Sequence, residues 1–241
     1  MRNAVIVDGC RTAVGSMGGC LKPMSALDLA CAVLKGNLDR TGLDPKLVDE
    51  VILGQCRQTS DEPNIARVAA LKVGIPVEAS AHTVMRQCAS GMTAVQNGAM
   101  QIMCGVSDVV LAGGTESMSN AVFYVRNARW GVGTGNTEFV DALTEGQFKS
   151  QPEEQFGRYN MGATAENVAR ILNITREEQD EFSLASQRKA IAAIDEGRFK
   201  EEIIPVTVPQ GRKKPPIEVD TDEFPKRDTS LEKMAKLKPV F

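Results

Sequence analysis

The segment Gln87-Cys88-Ala89-Ser90-Gly91-Met92 carries the strongest chemical signal in the sequence. A short apolar stretch at 82–84 turns abruptly into a helical pattern, and a cysteine stands at the turn. Free amides and the macrodipole at a helix N-terminus stabilise a thiolate, so this position favours a nucleophile. The same amides, that of Cys88 included, can donate to an oxyanion, and the chemistry indicated is acyl transfer. Small side chains at Ala89, Ser90 and Gly91 leave room for a substrate to approach. A free cysteine is also commonly a small buried hydrophobe, and the segment by itself leaves both readings open.

Few other residues compete for a chemical role. His82, the single histidine, lies six residues before Cys88 at the edge of the apolar stretch, and proximity in sequence does not make it a base. Gly113-Gly114 invites a phosphate-loop reading, but the Gly-Lys-Ser/Thr ending is missing. Lys213 and Lys214 belong to a basic, proline-rich turn expected at the surface. Six cysteines (Cys10, Cys20, Cys31, Cys56, Cys88 and Cys104) include no Cys-x-x-Cys pair. Neither a metal site nor a disulfide framework is expected, and the compartment reads as reducing, most simply cytoplasmic.

The elements that must position Cys88 follow from periodicity. Residues 4–8 read as a strand, followed by a Gly-rich loop. Ser25 is a good N-cap for a helix striped by Leu27, Ala30, Cys31, Val33 and Leu34, ending near Gly36 or Gly42. Residues 50–54 form a second strand, 64–73 a helix stopped by Gly74 and Pro76, and 82–84 a third strand. A helix over 91–104 closes at Gly105, and 108–113 is a fourth strand, the most buried in character. Strands alternating with helices imply an α/β fold, a parallel or mixed sheet with helices on its faces. Residues 119–155 read as a long loop, 162–172 as a helix, and Thr175 with Glu178 as the capping box of a helix reaching Gly197. Residues 202–208 and 217–219 look like paired strands, and 220–241 has no strong periodicity.

Hydrophobic residues make up 42% and charged residues 24% of the 241, with a net charge of −3. That is ordinary for a globular protein and gives no reason to expect nucleic acid or an anionic membrane as partner. The richest apolar run, 109–112, is strand-sized, and the N-terminus has no signal-peptide core.

Met85-Arg86-Gln87-Cys88-Ala89-Ser90-Gly91 resembles the Asn-x-x-Cys-x-Ser-Gly segment that carries the nucleophile of thiolases. Further segments match that family in order: Cys10-Arg11-Thr12-Ala13-Val14-Gly15, Val51-Ile52-Leu53-Gly54, Asn64-Ile65-Ala66-Arg67 and Ala112-Gly113-Gly114-Thr115-Glu116-Ser117-Met118-Ser119. Tyr159-Asn160-Met161-Gly162, Thr164-Ala165-Glu166-Asn167 and Leu231-Glu232-Lys233-Met234-Ala235-Lys236-Leu237-Lys238-Pro239 extend the likeness over the whole chain. The resemblance implies a layered thiolase-like mixed sheet: an incomplete N-terminal α/β domain over 1–118, and an α+β loop domain over 119–241 that covers coenzyme A.

On this resemblance Cys88 takes an acyl group from acyl-CoA as a covalent thioester, and a second acyl-CoA attacks it to give 3-oxoacyl-CoA, or thiolysis runs in reverse. Coenzyme A is then a substrate, and no tightly bound cofactor is expected. Met161 corresponds to an apolar residue beside the thioester and pantetheine arm. Lys226 stands where the family has an arginine toward the anionic end of coenzyme A, and Arg227 follows it; lysine there loses bidentate geometry. Met85 replaces the family's asparagine and cannot make its amide hydrogen bonds. Asn160 stands where some members have histidine and is assigned no role. His82 falls on a strand that the family places at a dimer interface, where a structural or interface part is expected.

The family also uses a histidine and a second cysteine, in Gly-His-Pro and Cys-x-Gly segments of a C-terminal domain, and neither segment occurs in this sequence. The fold is therefore expected to be incomplete without that domain. A partner polypeptide that carries it, or a homo-oligomeric contact, is expected to cover exposed sheet. A non-catalytic acyl-CoA-binding or scaffold subunit, an inactive truncated thiolase, and a related ketosynthase are the alternatives. The segments at 164–167 and 231–239 speak for thiolase over ketosynthase.

Overall fold

The computed structural model describes residues 2–241. At its centre lies β1, Glu50–Gly54, whose five residues are all buried. Parallel strands flank it on both sides, β2 (Ser80–Val84) and β3 (Val110–Gly114), in the order β2-β1-β3. Parallel neighbours require crossovers, and α2 (Ile65–Lys72) and α3 (Ser90–Cys104) supply them.

Alternation along β1 divides the sheet between two layers. Val51 and Leu53 face a core built with α1 (Ala26–Thr41) and α2, through Leu27, Ala30, Leu34, Ala66, Ala69 and Ala70. Glu50 and Ile52 lie on the opposite face, which α3 covers with its small buried residues Ala94 and Gly98. A Cβ at Gly98 would come within 3.0 Å of Val110, so the small residue sets how closely α3 approaches β3.

The helix ends obey local chemistry. Ser25 caps α1 in a capping box with Asp28, and Gly42 stops it in the left-handed conformation; the glycine at 36 lies inside the helix. Asn64 caps α2, and Gly105 ends α3 in the left-handed conformation.

Two expectations about strands need correction. The strand expected over 108–113 is not the most buried: β3 is an edge strand with partly buried side chains, because it pairs on one side only. Residues 4–8 form no strand, and Val5, Ile6 and Val7 are exposed, with no neighbouring element over them.

The chain divides into two compact units. The first runs to Asn120 and takes in Phe199–Glu223; the second comprises Ala121–Arg198 and Phe224–Phe241. Sequence analysis places all of 119–241 in the second region. In the structure the hairpin β6 (Val206–Val208) and β7 (Ile217–Val219) packs with the first unit, because Val206, Val208 and Val219 bury against Ala13, Leu21 and Leu29.

The second unit holds more structure than the long loop expected over 119–155. A two-stranded antiparallel ladder joins β4 (Phe123–Tyr124) to β5 (Val140–Asp141), followed by α4 (Ala142–Phe148) and the short α5 (Glu153–Phe156). Asp141 caps α4 by accepting from Leu143 and Thr144. Then come α6 (Met161–Leu172), α7 (Arg176–Asp195, capped by Thr175 and Glu178) and α8 (Leu231–Ala235). Arg176 ties α7 to the α8 end by donating to the carbonyls of Met234 at 2.6 Å and Leu237 at 3.2 Å. Among the described residues no helix is long and apolar enough to cross a membrane.

Candidate active site

Cys88 sits in the short turn between the end of β2 and the first residue of α3, and it is exposed. This turn lies at the carboxyl end of the parallel sheet, where β1 and β3 also end. Two glycines let α3 begin there. A Cβ on Gly54 would overlap the backbone of Ser90 and Gly91, and a Cβ on Gly114 would lie 3.1 Å from the Gly54 carbonyl oxygen and 3.4 Å from Gly91 Cα. The helix N-terminus therefore rests directly on the backbone of β1 and β3.

The turn itself is tightly bonded. Gln87, just before Cys88, has φ of 51°, a left-handed conformation that costs a residue with a Cβ about 1–2 kcal/mol. Its carbonyl accepts from the Ser90 hydroxyl at 2.6 Å, the Cys56 thiol at 2.8 Å and the Ser90 amide at 3.0 Å. The Ser90 hydroxyl in turn accepts from the Arg86 amide at 2.8 Å. No side chain caps α3 at Ala89.

The matched segments around the turn serve mainly as struts. Glu116 accepts from the amides of Cys56 at 2.8 Å and Arg57 at 3.2 Å, binding the ends of β1 and β3 together. Thr115 and Ser117 donate to the carbonyls of Ala26 and Met24 at the start of α1, and Asn120 donates to Lys22 and Met24. The Gly113-Gly114 segment is thus a structural brace. Asn64 caps α2 while donating to the Ala81 carbonyl and accepting from Thr83, which docks that helix onto β2.

His82 lies mid-strand in β2 beside Ile52, on the face covered by α3. Its Nδ1 is 2.8 Å from Oε1 of Glu50, a carboxylate only 8% exposed, so the ring donates from Nδ1 to a buried acceptor. Its outer side opens to a groove of about 260 Å³ lined by Asn97, Met100, Gln101, Cys104 and Val106. Met85, at the end of β2, is exposed.

Of the remaining residues singled out by sequence, Met161, Lys226 and Arg227 belong to the second unit. Met161 is the exposed first residue of α6, which Asn160 caps by accepting from Ala163. The Lys226 amide donates to Gln187 at 2.7 Å, and its ammonium lies 5.9 Å from the centre of the Phe224 ring. Arg227 forms a bidentate pair with Asp195 at 2.6 and 2.9 Å, and this hydrogen bonding holds the Asp195 carboxyl below its usual value. Sequence reasoning passed over Cys56 and the backbone of Gln87. Nothing in the residue types of 55–57 signals a contact with the turn some thirty positions later, as the chain separation shows.

A fold of this kind, with a cysteine heading the helix that follows the second strand of a parallel sheet, defines a class. The family model described as thiolase, N-terminal domain, matches residues 4–241, and the chain belongs to the thiolase family. It is 47% identical over 241 residues to an acetyl-CoA acetyltransferase of Pseudomonas aeruginosa, covering 100% of this chain and 60% of that protein. It is 42% identical over 241 residues to a probable acetyl-CoA acetyltransferase of Escherichia coli. The crystal structure of the Bacillus anthracis acetyl-CoA acetyltransferase superposes with a TM-score of 0.93 at 42% identity, covering 100% of this chain and 59% of that one. The chain thus spans about 60% of the length of the relatives it matches.

Proposed function

We propose that this chain supplies the acyl-accepting nucleophile, Cys88, of an acyl-CoA C-acyltransferase, with acetyl transfer between acetyl-CoA units as its reaction. The observation that supports it most is the exposed thiol at the head of α3, in a segment matching the family's nucleophile loop. The Cys88 thiolate attacks the thioester carbonyl of acyl-CoA; a C–S bond to Cys88 forms, the bond to coenzyme A breaks, and coenzyme A leaves as its thiol after taking a proton. A second acyl-CoA loses a proton from its α-carbon, the carbanion attacks the acyl-Cys88 carbonyl, and a C–C bond replaces the C–S bond. Thiolysis is the reverse. The Cys88 amide stabilises the oxyanion of the tetrahedral intermediate.

The histidine that activates the thiol and the second cysteine that moves the α-proton come from residues corresponding to the family's C-terminal domain. Activity therefore requires those residues as well, whether they follow on the same polypeptide or come from a partner. Coenzyme A is bound as substrate by the second unit, with Met161 against the pantetheine arm and a cation near the phosphates. Lys226 is the better placed for that part, since the guanidinium of Arg227 is already paired with Asp195. A cytoplasmic location fits six free thiols.

The test is acetoacetyl-CoA thiolysis by the chain alone, by Cys88→Ala, and by each mixed with a polypeptide bearing Gly-His-Pro and Cys-x-Gly segments. Activity only in the mixture, lost by at least about a thousandfold with Cys88→Ala, is the expected result. Silence in every mixture, with acyl-CoA still bound, would instead indicate a binding subunit. Mixtures equally active with Cys88→Ala would remove the nucleophile from this chain.

A further inference from the structure

Resting on the reading of Cys88 as nucleophile, we infer that Cys56 is a positioning residue for it: the Cys56 thiol references the Gln87–Cys88 peptide to the central strand and so aims the Cys88 amide at the oxyanion.

A trans peptide is planar, so its C=O and N–H point in opposite directions. Fixing the Gln87 carbonyl therefore fixes the Cys88 amide on the other side. Three donors converge on that carbonyl: the Ser90 hydroxyl, the Ser90 amide and the Cys56 thiol. They hold Gln87 in a backbone conformation that its side chain disfavours, with φ of 51°.

The three donors are not equivalent. Both donors of Ser90 belong to the same turn and move with it. Cys56 does not: it follows β1, and Glu116, at the end of β3, accepts from its amide at 2.8 Å. Its Sγ also lies 3.8 Å from the Ser90 hydroxyl, so it touches both the carbonyl and the side chain that bonds it. Cys56 thus ties the turn to the sheet. No step of the proposed reaction passes through it, and its part is to hold the geometry of its neighbour.

The experiment follows alkylation of Cys88 by iodoacetamide, resolved by peptide mass spectrometry in the full chain, across the thiol titration range. Cys56→Ala is expected to slow Cys88 alkylation at neutral pH by roughly three- to fivefold, the worth of one hydrogen bond. Cys56→Ser keeps a donor and should restore the parental profile. In a Gln87→Gly background, where the left-handed turn needs no restraint, the effect of Cys56→Ala should shrink to about twofold or less.

An unchanged Cys88 profile in Cys56→Ala, even with a lowered melting temperature, would reduce Cys56 to a packing residue and overturn the inference. So would a Cys56→Ser protein that behaves like Cys56→Ala. Failure of the nucleophile reading shows separately, as a Cys88 that acetyl-CoA never acylates in the completed mixture while the alkylation series still responds to Cys56.

Discussion

Gln87 illustrates what single residues hide. A glutamine in left-handed backbone is legible in no propensity scale, yet its carbonyl gathers the bonds that shape the Cys88 turn. The position of Cys88 was legible, because small residues at a strand-to-helix change mark a tight turn, and the structure places it exposed between β2 and α3. Asp222 makes a second case at this scale. Burial pushes its carboxyl up, but hydrogen bonds from Arg11 at 2.7 and 3.0 Å and from the Val14 amide at 2.8 Å outweigh this and hold it below the usual value of 3.8. A carboxyl lowered in the folded state contributes stability above its unfolded pKa and loses it as pH falls through the folded one. Asp222→Asn should therefore cost about 1–2 kcal/mol at neutral pH, with the difference from the parent shrinking once the pH falls below that of an ordinary carboxyl. Urea unfolding midpoints at neutral and acidic pH check this.

Among the elements, capping chemistry was the most legible feature. Ser25, Asn64, Thr175, Gly42 and Gly105 all end or begin helices where their types demand. Strand rank was less legible: an apolar run does not reveal whether it pairs on one side or two, and so 108–113 reads as the most buried strand when β1 is. The junction of β1 with α3 gives a sharp contrast between two glycines. Gly54→Ala would drive a Cβ into the Ser90 and Gly91 backbone, which cannot move without displacing the Cys88 turn. It should destabilise the fold by about 3 kcal/mol or more. At Gly113 the nearest atom to an added Cβ is a Leu53 methyl at 3.9 Å, and Gly113→Ala should stay within about 0.5 kcal/mol of the parent. Thermal unfolding of both variants tests the pair; similar losses from each would contradict the account of close backbone approach.

Over the whole molecule, the α/β class and the alternation of elements from α1 to β3 were legible, while the division into units was not. Partition depends on which surfaces bury together, and the apolar residues of the β6–β7 hairpin look the same in sequence whichever unit they join. The same scale shows what stays uncovered. Both outer strands of the three-stranded sheet have an unpaired edge among the described residues, and Val5, Ile6 and Val7 are exposed, Ile6 at 85%. Apolar runs and open edges of this kind promote association. The chain by itself should self-associate, and Ile6→Lys should shift light-scattering mass toward the monomer with the melting temperature changed by only a degree or two, as for an exposed substitution. A chain that is monomeric with Ile6 in place would argue that this strip is covered in solution.

The path of the chain carries one more consequence. It passes from the first unit to the second after Asn120, returns at Phe199 and leaves again after Glu223, so each unit is assembled from two separated stretches. No single genetic crossover can exchange one unit without carrying part of the other. One placed within 121–198 would hand the descendant Ala13, Leu21 and Leu29 from one parent and the valines that cover them from the other. The hairpin and the N-terminal loop must therefore be inherited as matched partners, and chimaeras of diverged relatives should tolerate seams that keep the two together.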